Sequence, residues 1–147
     1  MGGLQITASR GVKLVADCLI GDCVQRHFDL VVLPGGMPGA AHLRDCAVLK
    51  QILVRQNEAG RLYGAICAAP AVVLQTHGLL QGRRCTGHPG FMEQLHGSDA
   101  DEAGVVVDRN CITSRGPGTA LSFALELVQQ LFGEQKRADV QAPMVVA

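Results

Sequence analysis

One cysteine stands where an apolar, strand-like run gives way to a helix-forming run. Residues 62–74 read Leu-Tyr-Gly-Ala-Ile-Cys-Ala-Ala-Pro-Ala-Val-Val-Leu, with the thiol at Cys67. At such a turn, the following backbone N–H groups and the positive end of the helix dipole stabilise a thiolate, the nucleophilic form of cysteine. Cys67 is therefore a candidate nucleophile. The alternative is a small core residue, because free cysteines are often buried.

Other segments place glycine and polar residues at the ends of candidate strands. Asp29–Leu33 reads as a short buried strand followed by Gly35 and Gly36, which let main-chain N–H groups approach a ligand, although a plain tight turn fits equally. His88 lies between turn-forming residues, and Arg115 follows another β-rich run. Because ligands of open α/β sheets bind at the carboxyl ends of the strands, the sequence predicts a site at this edge.

Motifs spread along the chain resemble a known family. Residues 33–36 (Leu-Pro-Gly-Gly), 65–70 (Ala-Ile-Cys-Ala-Ala-Pro) and 113–119 (Thr-Ser-Arg-Gly-Pro-Gly-Thr) are similar to the ThiJ/PfpI superfamily, close to its parkinsonism-associated deglycase branch. Residues 6–14 resemble its bacterial YajL-type members. The resemblance covers nearly the whole chain in the right order. It implies an α/β fold, a flavodoxin-like three-layer α/β/α sandwich with a mostly parallel sheet.

The resemblance also implies roles for residues around the thiol. Cys67 corresponds to the reactive cysteine, and the main-chain N–H groups of Gly36 and Ala68, beside Gly35, would form an oxyanion hole. His88 matches a position where relatives carry a histidine near the cysteine. Its role would be proton transfer or orientation, since imidazole titrates near neutral pH. Some YajL-type relatives lack this histidine.

Two arginines match family positions near the catalytic cysteine or the dimer interface. Arg10 and Arg115 could bind a carboxylate or an oxidised sulfinate through paired hydrogen bonds. For both, the alternative interpretation is an ordinary surface salt bridge. Other family members carry different residues at the position of Arg115.

The chain departs from the family pattern at its start. Relatives begin with a strand, a helix and a second strand, and the first turn carries a glutamate that hydrogen-bonds the catalytic thiol. Residues 1–4 align instead with the third strand of the family, and no glutamate of this chain lies in a matching context. We expect the missing strand to leave apolar edges and unpaired backbone groups exposed. The resemblance therefore implies either a truncated sequence or a partner that supplies the missing layer.

More than one function fits this thiol. The resemblance implies a cysteine-dependent glyoxalase or deglycase that acts on methylglyoxal or glycated adducts and needs no metal or organic cofactor. A second interpretation is a redox-sensing, non-catalytic stress chaperone in which Cys67 is oxidised. The absent glutamate favours the sensor, because that carboxylate carries protons in the family. A weaker alternative is a PfpI-like cysteine peptidase.

Length and composition limit the number of domains and the kinds of partner that the protein can have. The 147 residues predict a single domain over 1–147, and 13 basic against 13 acidic residues give none of the basic excess typical of nucleic-acid-binding proteins. No leader sequence and no bilayer-length apolar run is evident, so a cytoplasmic protein is predicted. The resemblance implies a homodimer.

The six cysteines show neither close pairing nor a zinc-binding pattern, so reduced thiols are expected. Cys18, Cys23 and Cys46 could be oxidisable surface thiols or could be packed in the ordinary way. The position of Cys85 in a loop leaves its role open. Cys111 begins an apolar run and is predicted to lie in the core.

The coarse pattern alternates strands and helices. A hairpin is predicted around residues 9–11 and another across 108–110. Helices are predicted over 45–58, from Cys67 to about residue 77, and over 121–132, the last so apolar that it should be buried on more than one side. Thr119 is a candidate N-cap for that helix.

Overall fold

The computed structural model describes residues 3–146. The strands of this part of the chain are β1 Gln5–Thr7, β2 Lys13–Val15, β3 Leu30–Leu33, β4 Leu62–Ile66, β5 Arg84–Cys85, β6 Asp99–Ala100, β7 Val105–Asp108 and β8 Cys111–Ser114. The helices are α1 Gly39–Asp45, α2 Ala47–Glu58, a π-helix Pro70–Gln75, α3 Ala120–Phe132 and α4 Glu134–Gln141. Short 3₁₀ helices lie at Ser9–Gly11, Ile20–Cys23, Pro89–Gln94, Pro117–Thr119 and Ala142–Met144.

The central sheet has the strand order β3-β4-β8-β7. Strands β3, β4 and β8 run parallel, with Val32 opposite Gly64 and Gly64 opposite Ile112, whereas β7 pairs antiparallel to β8. Helices lie between the parallel strands along the chain, because a parallel pair needs a long crossover connection. The sheet is mostly parallel, which confirms the predicted α/β class.

The two faces of β4 contact different helical layers. Tyr63 and Ala65 are fully buried in a core that also contains residues of α2 and the π-helix. Gly64 faces the other way, because a Cβ there would lie 3.3 Å from Phe123 of α3 and 2.7 Å from the carbonyl oxygen of Ile112. Since successive strand residues point to opposite faces, helices cover both sides of the sheet.

The core on the α2 side is centred on Tyr63. Its hydroxyl donates a 2.7 Å hydrogen bond to the carbonyl of Leu79, and the guanidinium of Arg83 lies 5.6 Å from the ring centroid. Burial raises the pKa of Tyr63 above its ordinary value, so the phenol stays protonated. Leu53 and Leu74 are fully buried beside it. Each buried leucine contributes about 1.5–3 kcal/mol to folding.

The N-terminal hairpin is confirmed. β1 and β2 pair antiparallel, with Ile6 opposite Leu14, around the turn at Ser9–Gly11. The side chains of Ile6, Leu14 and Val15 are 57%, 51% and 71% exposed. Much of the apolar surface of this hairpin therefore faces solvent.

Several helix boundaries differ from the predicted ones. The helix predicted from residue 45 begins at Ala47, and the separate helix α1, for which no helix is predicted, precedes it. After Cys67 the chain forms the π-helix and then turns, reaching Gly78 with φ +72°. The hairpin of β7 and β8 around residues 108–110 is confirmed.

Helix α3 is confirmed, and it ends at Gly133, whose φ is +91°. The prediction that it is buried on more than one side is wrong. Phe123 and Leu125 are buried, but Leu121 and Phe132 are 56% and 68% exposed. The reason is geometric: within the described residues the sheet meets one face of the helix, so Leu127, Val128 and Leu131 are only half-buried and Leu121 and Phe132 face outward.

The edge of the central sheet is apolar on the β3 side. Within residues 3–146, β3 pairs with β4 alone, and Val32 is 40% exposed. This agrees with the expectation of an exposed apolar edge. No helix in this part of the chain combines the length and apolarity needed to cross a bilayer.

Candidate active site

Cys67 lies directly after the carboxyl end of β4, in a left-handed backbone conformation. Its φ is +67°, a value that costs a non-glycine residue about 1–3 kcal/mol unless its surroundings enforce it. Two backbone hydrogen bonds do so: the Cys67 N–H donates to the carbonyl of Ser114 at 3.0 Å, and the His88 N–H donates to the carbonyl of Cys67 at 2.8 Å. The thiol therefore leaves the sheet at a sharp, fixed turn, as the sequence predicts.

The first glycine after β3 packs directly against this turn. A Cβ on Gly35 would lie 2.5 Å from the Cβ of Cys67, 2.8 Å from the carbonyl oxygen of Ile66 and 3.2 Å from the amide nitrogen of Ala68. No side chain fits there, so the residue must be glycine. Gly36 follows with φ +84°, another conformation that favours glycine. The two glycines thus bring main-chain groups next to the thiol and the Ala68 amide.

Cys67 opens into a cavity of about 290 Å³. Its lining includes both glycines and the thiol from one side, Gly116 and Pro117 from the loop that leads into α3, and Ala120 at the start of that helix. Cys67 is half-buried, so a small molecule in the cavity can reach its sulfur.

His88 is oriented by its own loop. Its Nδ1 accepts a 3.1 Å hydrogen bond from the Gly90 N–H, which assigns the proton of the neutral ring to Nε2. The ring also packs edge-on against Phe91, with centroids 6.1 Å apart. The backbone hydrogen bond to Cys67 ties this loop to the thiol turn. His88 therefore has one donor nitrogen, and its orientation is set by neighbours.

A second cavity, of about 310 Å³, adjoins the first. It is lined by His88 and Arg115 and shares Gly116 and Pro117 with the thiol cavity. Arg115 donates from Nη1 to the carbonyl of Glu102 at 3.0 Å, and its buried Nε has no hydrogen-bond partner among the described residues. A guanidinium with an unused buried donor suits an oxygen-rich ligand.

Thr119 holds the loop that carries Arg115. Its Oγ1 accepts from the N–H groups of Arg115 and Gly116 at 3.2 and 3.1 Å, and it lies 2.6 Å from the Ser114 hydroxyl, which donates to the carbonyl of Gly104. Thr119 does occupy the N-cap position of α3, but its side chain does not cap the helix. The hydroxyl points back into the loop and fixes it instead.

Arg10 is not brought to either cavity. It lies in the exposed turn of the N-terminal hairpin with φ +60°, and neither cavity includes it in its lining. Its predicted contact with an anionic group at the thiol stays a prediction. Arg115 is the arginine that this chain places beside the candidate site.

The remaining cysteines fall into two groups. Cys85 and Cys111 are buried, as predicted for Cys111, and burial raises the pKa of both, for Cys111 to about 12. These thiols are poor nucleophiles at neutral pH. Cys18 and Cys23 are free thiols too, but their sulfurs are 3.5 Å apart. The 3₁₀ turn between them folds the chain back, which spacing alone does not reveal.

Acidic groups are missing from the lining of the two cavities within residues 3–146. In the same part of the chain, no three His, Cys, Asp or Glu side chains come close enough together to hold a metal ion. Sequence reasoning overlooked Gly116, Pro117 and Ala120 as lining residues. The signal was available, because the first two belong to the same Ser-Arg-Gly-Pro-Gly motif as Arg115.

Fold and site together define an α/β protein with a cysteine on a strained turn at the carboxyl edge of a parallel sheet. The DJ-1/PfpI family matches residues 1–130, and the chain belongs to this family. It is 44% identical to protein DJ-1 homolog A of Arabidopsis thaliana over 96% of this chain, but it spans only 36% of that longer protein. It is 35% identical to the glutathione-independent glyoxalase DJR-1.2 of Caenorhabditis elegans, covering 99% of this chain and 83% of that one.

A solved structure shares the fold over the whole chain. Oxidised DJ-1 of Toxoplasma gondii superposes with a TM-score of 0.96 at 40% identity, covering all of this chain and 80% of that one. This likeness confirms the flavodoxin-like arrangement of a parallel sheet between helices.

Proposed function

We propose that this chain carries a cysteine-dependent glyoxalase or deglycase activity on methylglyoxal or glycated adducts. The observation that supports it best is the backbone of Cys67, held at φ +67° with Gly35 packed against its Cβ and an open cavity in front. Strain of this kind clusters at functional sites. The C. elegans relative, named a glutathione-independent glyoxalase, supports the same chemistry.

In the proposed reaction the thiolate of Cys67 attacks the aldehyde carbon of methylglyoxal and forms a carbon–sulfur bond. The new oxyanion would accept hydrogen bonds from the amides of Gly36 and Ala68, an interaction that contributes about 3–4 kcal/mol in such sites. Transfer of a proton from the first to the second carbon gives a thioester, and water then releases lactate and the free thiol. The net reaction adds one water to methylglyoxal, so it requires no cofactor.

His88 and Arg115 would serve the substrate from the adjoining cavity. The Nε2–H of His88 is the donor left over by the Gly90 hydrogen bond, so this nitrogen would exchange protons with the intermediate. Arg115 would use its unpartnered buried Nε to orient a carbonyl or carboxylate oxygen. Arg10 would join only if an assembled form brings its hairpin to the site.

A redox-sensing role for Cys67 is the second candidate. Cys67 is accessible enough for peroxide, and the Toxoplasma relative was solved in an oxidised form. Oxidation would give a sulfenic or sulfinic acid that Arg115 could neutralise.

Lactate formation from methylglyoxal tests the first proposal. The chain should form lactate, Cys67→Ser should not, and the matched variant Cys46→Ser, another half-buried cysteine, should retain the full rate. Equal rates for the chain and Cys67→Ser would remove the thiol mechanism. Peroxide-dependent oxygen addition to Cys67 without any lactate would favour the sensor.

The assembly and the compartment are proposals as well. A homodimer is supported by the exposed apolar side chains of the N-terminal hairpin, which suit burial against a second copy. A cytoplasmic location is supported by the free cysteines of the described chain, since reduced thiols persist in a reducing compartment.

A further inference from the structure

A pair of cysteines lies outside the two cavities of the candidate active site. Cys18 lies in the bend after β2, and Cys23 ends the 3₁₀ helix Ile20–Cys23. Their sulfur atoms are 3.5 Å apart, and both residues are half-buried. Two thiols in contact at a solvent-accessible turn can react with each other without rearrangement of the sheet.

A cation is fixed beside one of the two sulfurs. Nη1 of Arg26 lies 3.9 Å from the sulfur of Cys18, and the same guanidinium lies 5.2 Å from the centroid of the Phe28 ring. The cation–π contact restrains the arginine next to Cys18. A positive charge at this distance stabilises negative charge on sulfur during nucleophilic attack.

The partner thiol, Cys23, lies beside hydrogen-bond acceptors. Its hydrogen bond with Cys18, together with burial, raises the pKa of Cys23 above its ordinary value. The Cys23 thiol also lies 3.8 Å from the carbonyl oxygen of Leu19, an acceptor for its S–H. The pair is therefore asymmetric, with Cys18 beside a cation and Cys23 beside acceptors.

We propose that Cys18 and Cys23 form a peroxide-reactive dithiol that closes to an intramolecular disulfide. The Cys18 thiolate attacks hydrogen peroxide, its sulfur takes one oxygen to become a sulfenic acid, and the other oxygen leaves as water. The Cys23 sulfur then attacks the sulfenic sulfur, the sulfur–sulfur bond forms, and a second water leaves. Overall, two thiols and one peroxide give one disulfide and two waters.

The geometry permits this closure. The sulfur–sulfur distance must shorten from 3.5 Å to about 2.05 Å, which is within reach of side-chain rotation at an exposed turn. Cys23 lines an apolar cavity of about 240 Å³ with Phe28 and Ile52, separate from the cavity of Cys67. The pair and Cys67 therefore border different cavities.

Trypsin separates the relevant cysteines cleanly. Cleavage after Lys13 and Arg26 gives a peptide over residues 14–26 that holds Cys18 and Cys23 and no other cysteine. Cys46 falls in the peptide 45–50 and Cys67 in the peptide 62–83. The full chain is treated with one equivalent of hydrogen peroxide, alkylated with iodoacetamide and digested without reductant. The masses of the resulting peptides are then measured by mass spectrometry.

The expected result is that peptide 14–26 loses two hydrogens and both alkylation sites, and that dithiothreitol restores them. Peptide 45–50 should stay fully alkylated as the internal control for a half-buried lone thiol. In Cys23→Ser, peptide 14–26 should instead gain oxygen at Cys18, and in Cys46→Ser the disulfide should form as before. The proposal is overturned if peptide 14–26 keeps both alkylation sites while Cys67 is oxidised, or if the disulfide joins two chains.

Discussion

At the scale of single residues, the left-handed backbone conformation of Cys67 is energetically unfavourable, and neighbouring residues enforce it. A cysteine with φ +67° persists here because its N–H and C=O are hydrogen-bonded to Ser114 and His88, and Gly35 gives this turn the space that a side chain would occupy. The close approach of Gly35 is therefore as much a part of the site as the thiol itself.

Replacing Gly35 tests this dependence. In Gly35→Ala the new Cβ would meet the Cβ of Cys67 at 2.5 Å, so the thiol turn must shift. Because a displacement of about 1 Å can reduce catalysis about 100-fold, we expect a loss of that order in kcat/KM for methylglyoxal. Lactate formation under steady-state conditions gives the value.

The matched control is Gly39→Ala at the start of α1, where a Cβ would meet nothing within 4 Å and φ is not positive. This variant should keep the full rate and an unchanged melting temperature. If Gly35→Ala folds normally and its kcat/KM for methylglyoxal is unchanged, the close contact between Gly35 and Cys67 is not needed for activity.

The partly buried His77 makes the stability of the fold depend on pH. Its Nε2 lies 3.1 Å from the carbonyl oxygen of Arg44 and donates to it in the neutral ring, while desolvation and then Lys50 hold the pKa of His77 below its ordinary 6.5. The unfolded chain therefore binds this proton more readily than the folded one. Stability that is present above about pH 6.5 is lost as the pH falls below it.

Urea unfolding at pH 7.5 and pH 5.5 checks the sign. The chain should lose more free energy of unfolding between these two values than His77→Gln does, because the variant has no proton to bind at this position. His96→Gln, the same substitution at an exposed histidine, should behave like the unmodified chain. A larger pH dependence in His77→Gln than in the chain would contradict the assignment.

At the scale of elements, the loop before α3 is ordered by one hydroxyl. Thr119 accepts the N–H groups of Arg115 and Gly116 and contacts Ser114. In Thr119→Val these donors lose their acceptor, so we expect about 1–3 kcal/mol of destabilisation, since donors left unpaired on folding carry that cost. Chemical denaturation measures the change, and KM for methylglyoxal should rise because Arg115 is less well held.

The control for this loop is Thr76→Val. The Thr76 hydroxyl donates to the carbonyl of Val72, so its loss leaves no N–H without an acceptor. The expected cost is smaller than for Thr119→Val, and KM should not change. Equal costs at both positions, with KM unchanged, would mean that Thr119 does not organise the site.

Element types were predictable where one signal dominated. The β7–β8 hairpin follows from two β-rich runs around residues 108–110, and the end of α3 from Gly133. Helix α1 was missed because its seven residues start among glycine and proline, which predict a loop. The burial of α3 was overestimated because a sequence gives the apolarity of a helix but not the number of surfaces that cover it.

In the candidate site, too, some residues could be located from the sequence and others could not. Cys67 and Gly35 could be located because each follows a strand of the central sheet and parallel strands end at one edge, whereas His88 follows β5, which belongs to a separate two-stranded sheet. The contact between Cys18 and Cys23 could not, since it depends on how a short 3₁₀ turn directs two side chains. The outlying position of Arg10 likewise depends on where its hairpin points, which local pattern does not encode.

At the scale of the whole molecule, exposed apolar surface is concentrated on particular elements. The hairpin exposes Ile6, Leu14 and Val15, the β3 edge exposes Val32, and α3 exposes Phe132. Surfaces of this kind are typical of sites of association rather than of isolated domains.

We expect the chain to associate through the face of the hairpin that carries Ile6 and Leu14, the face opposite to Val15. Light scattering coupled to size-exclusion chromatography should give twice the 15.5 kDa chain mass at micromolar concentration.

Leu14→Glu should lower the mass to that of one chain, because a carboxylate cannot be buried without a partner. Lys13→Glu introduces the same carboxylate at the adjacent residue of β2, whose side chain points to the opposite face, and should leave the mass unchanged. A single-chain mass for the unmodified protein, or a dimer in Leu14→Glu, would contradict association through this hairpin, because the apolar contact would then be absent or unnecessary.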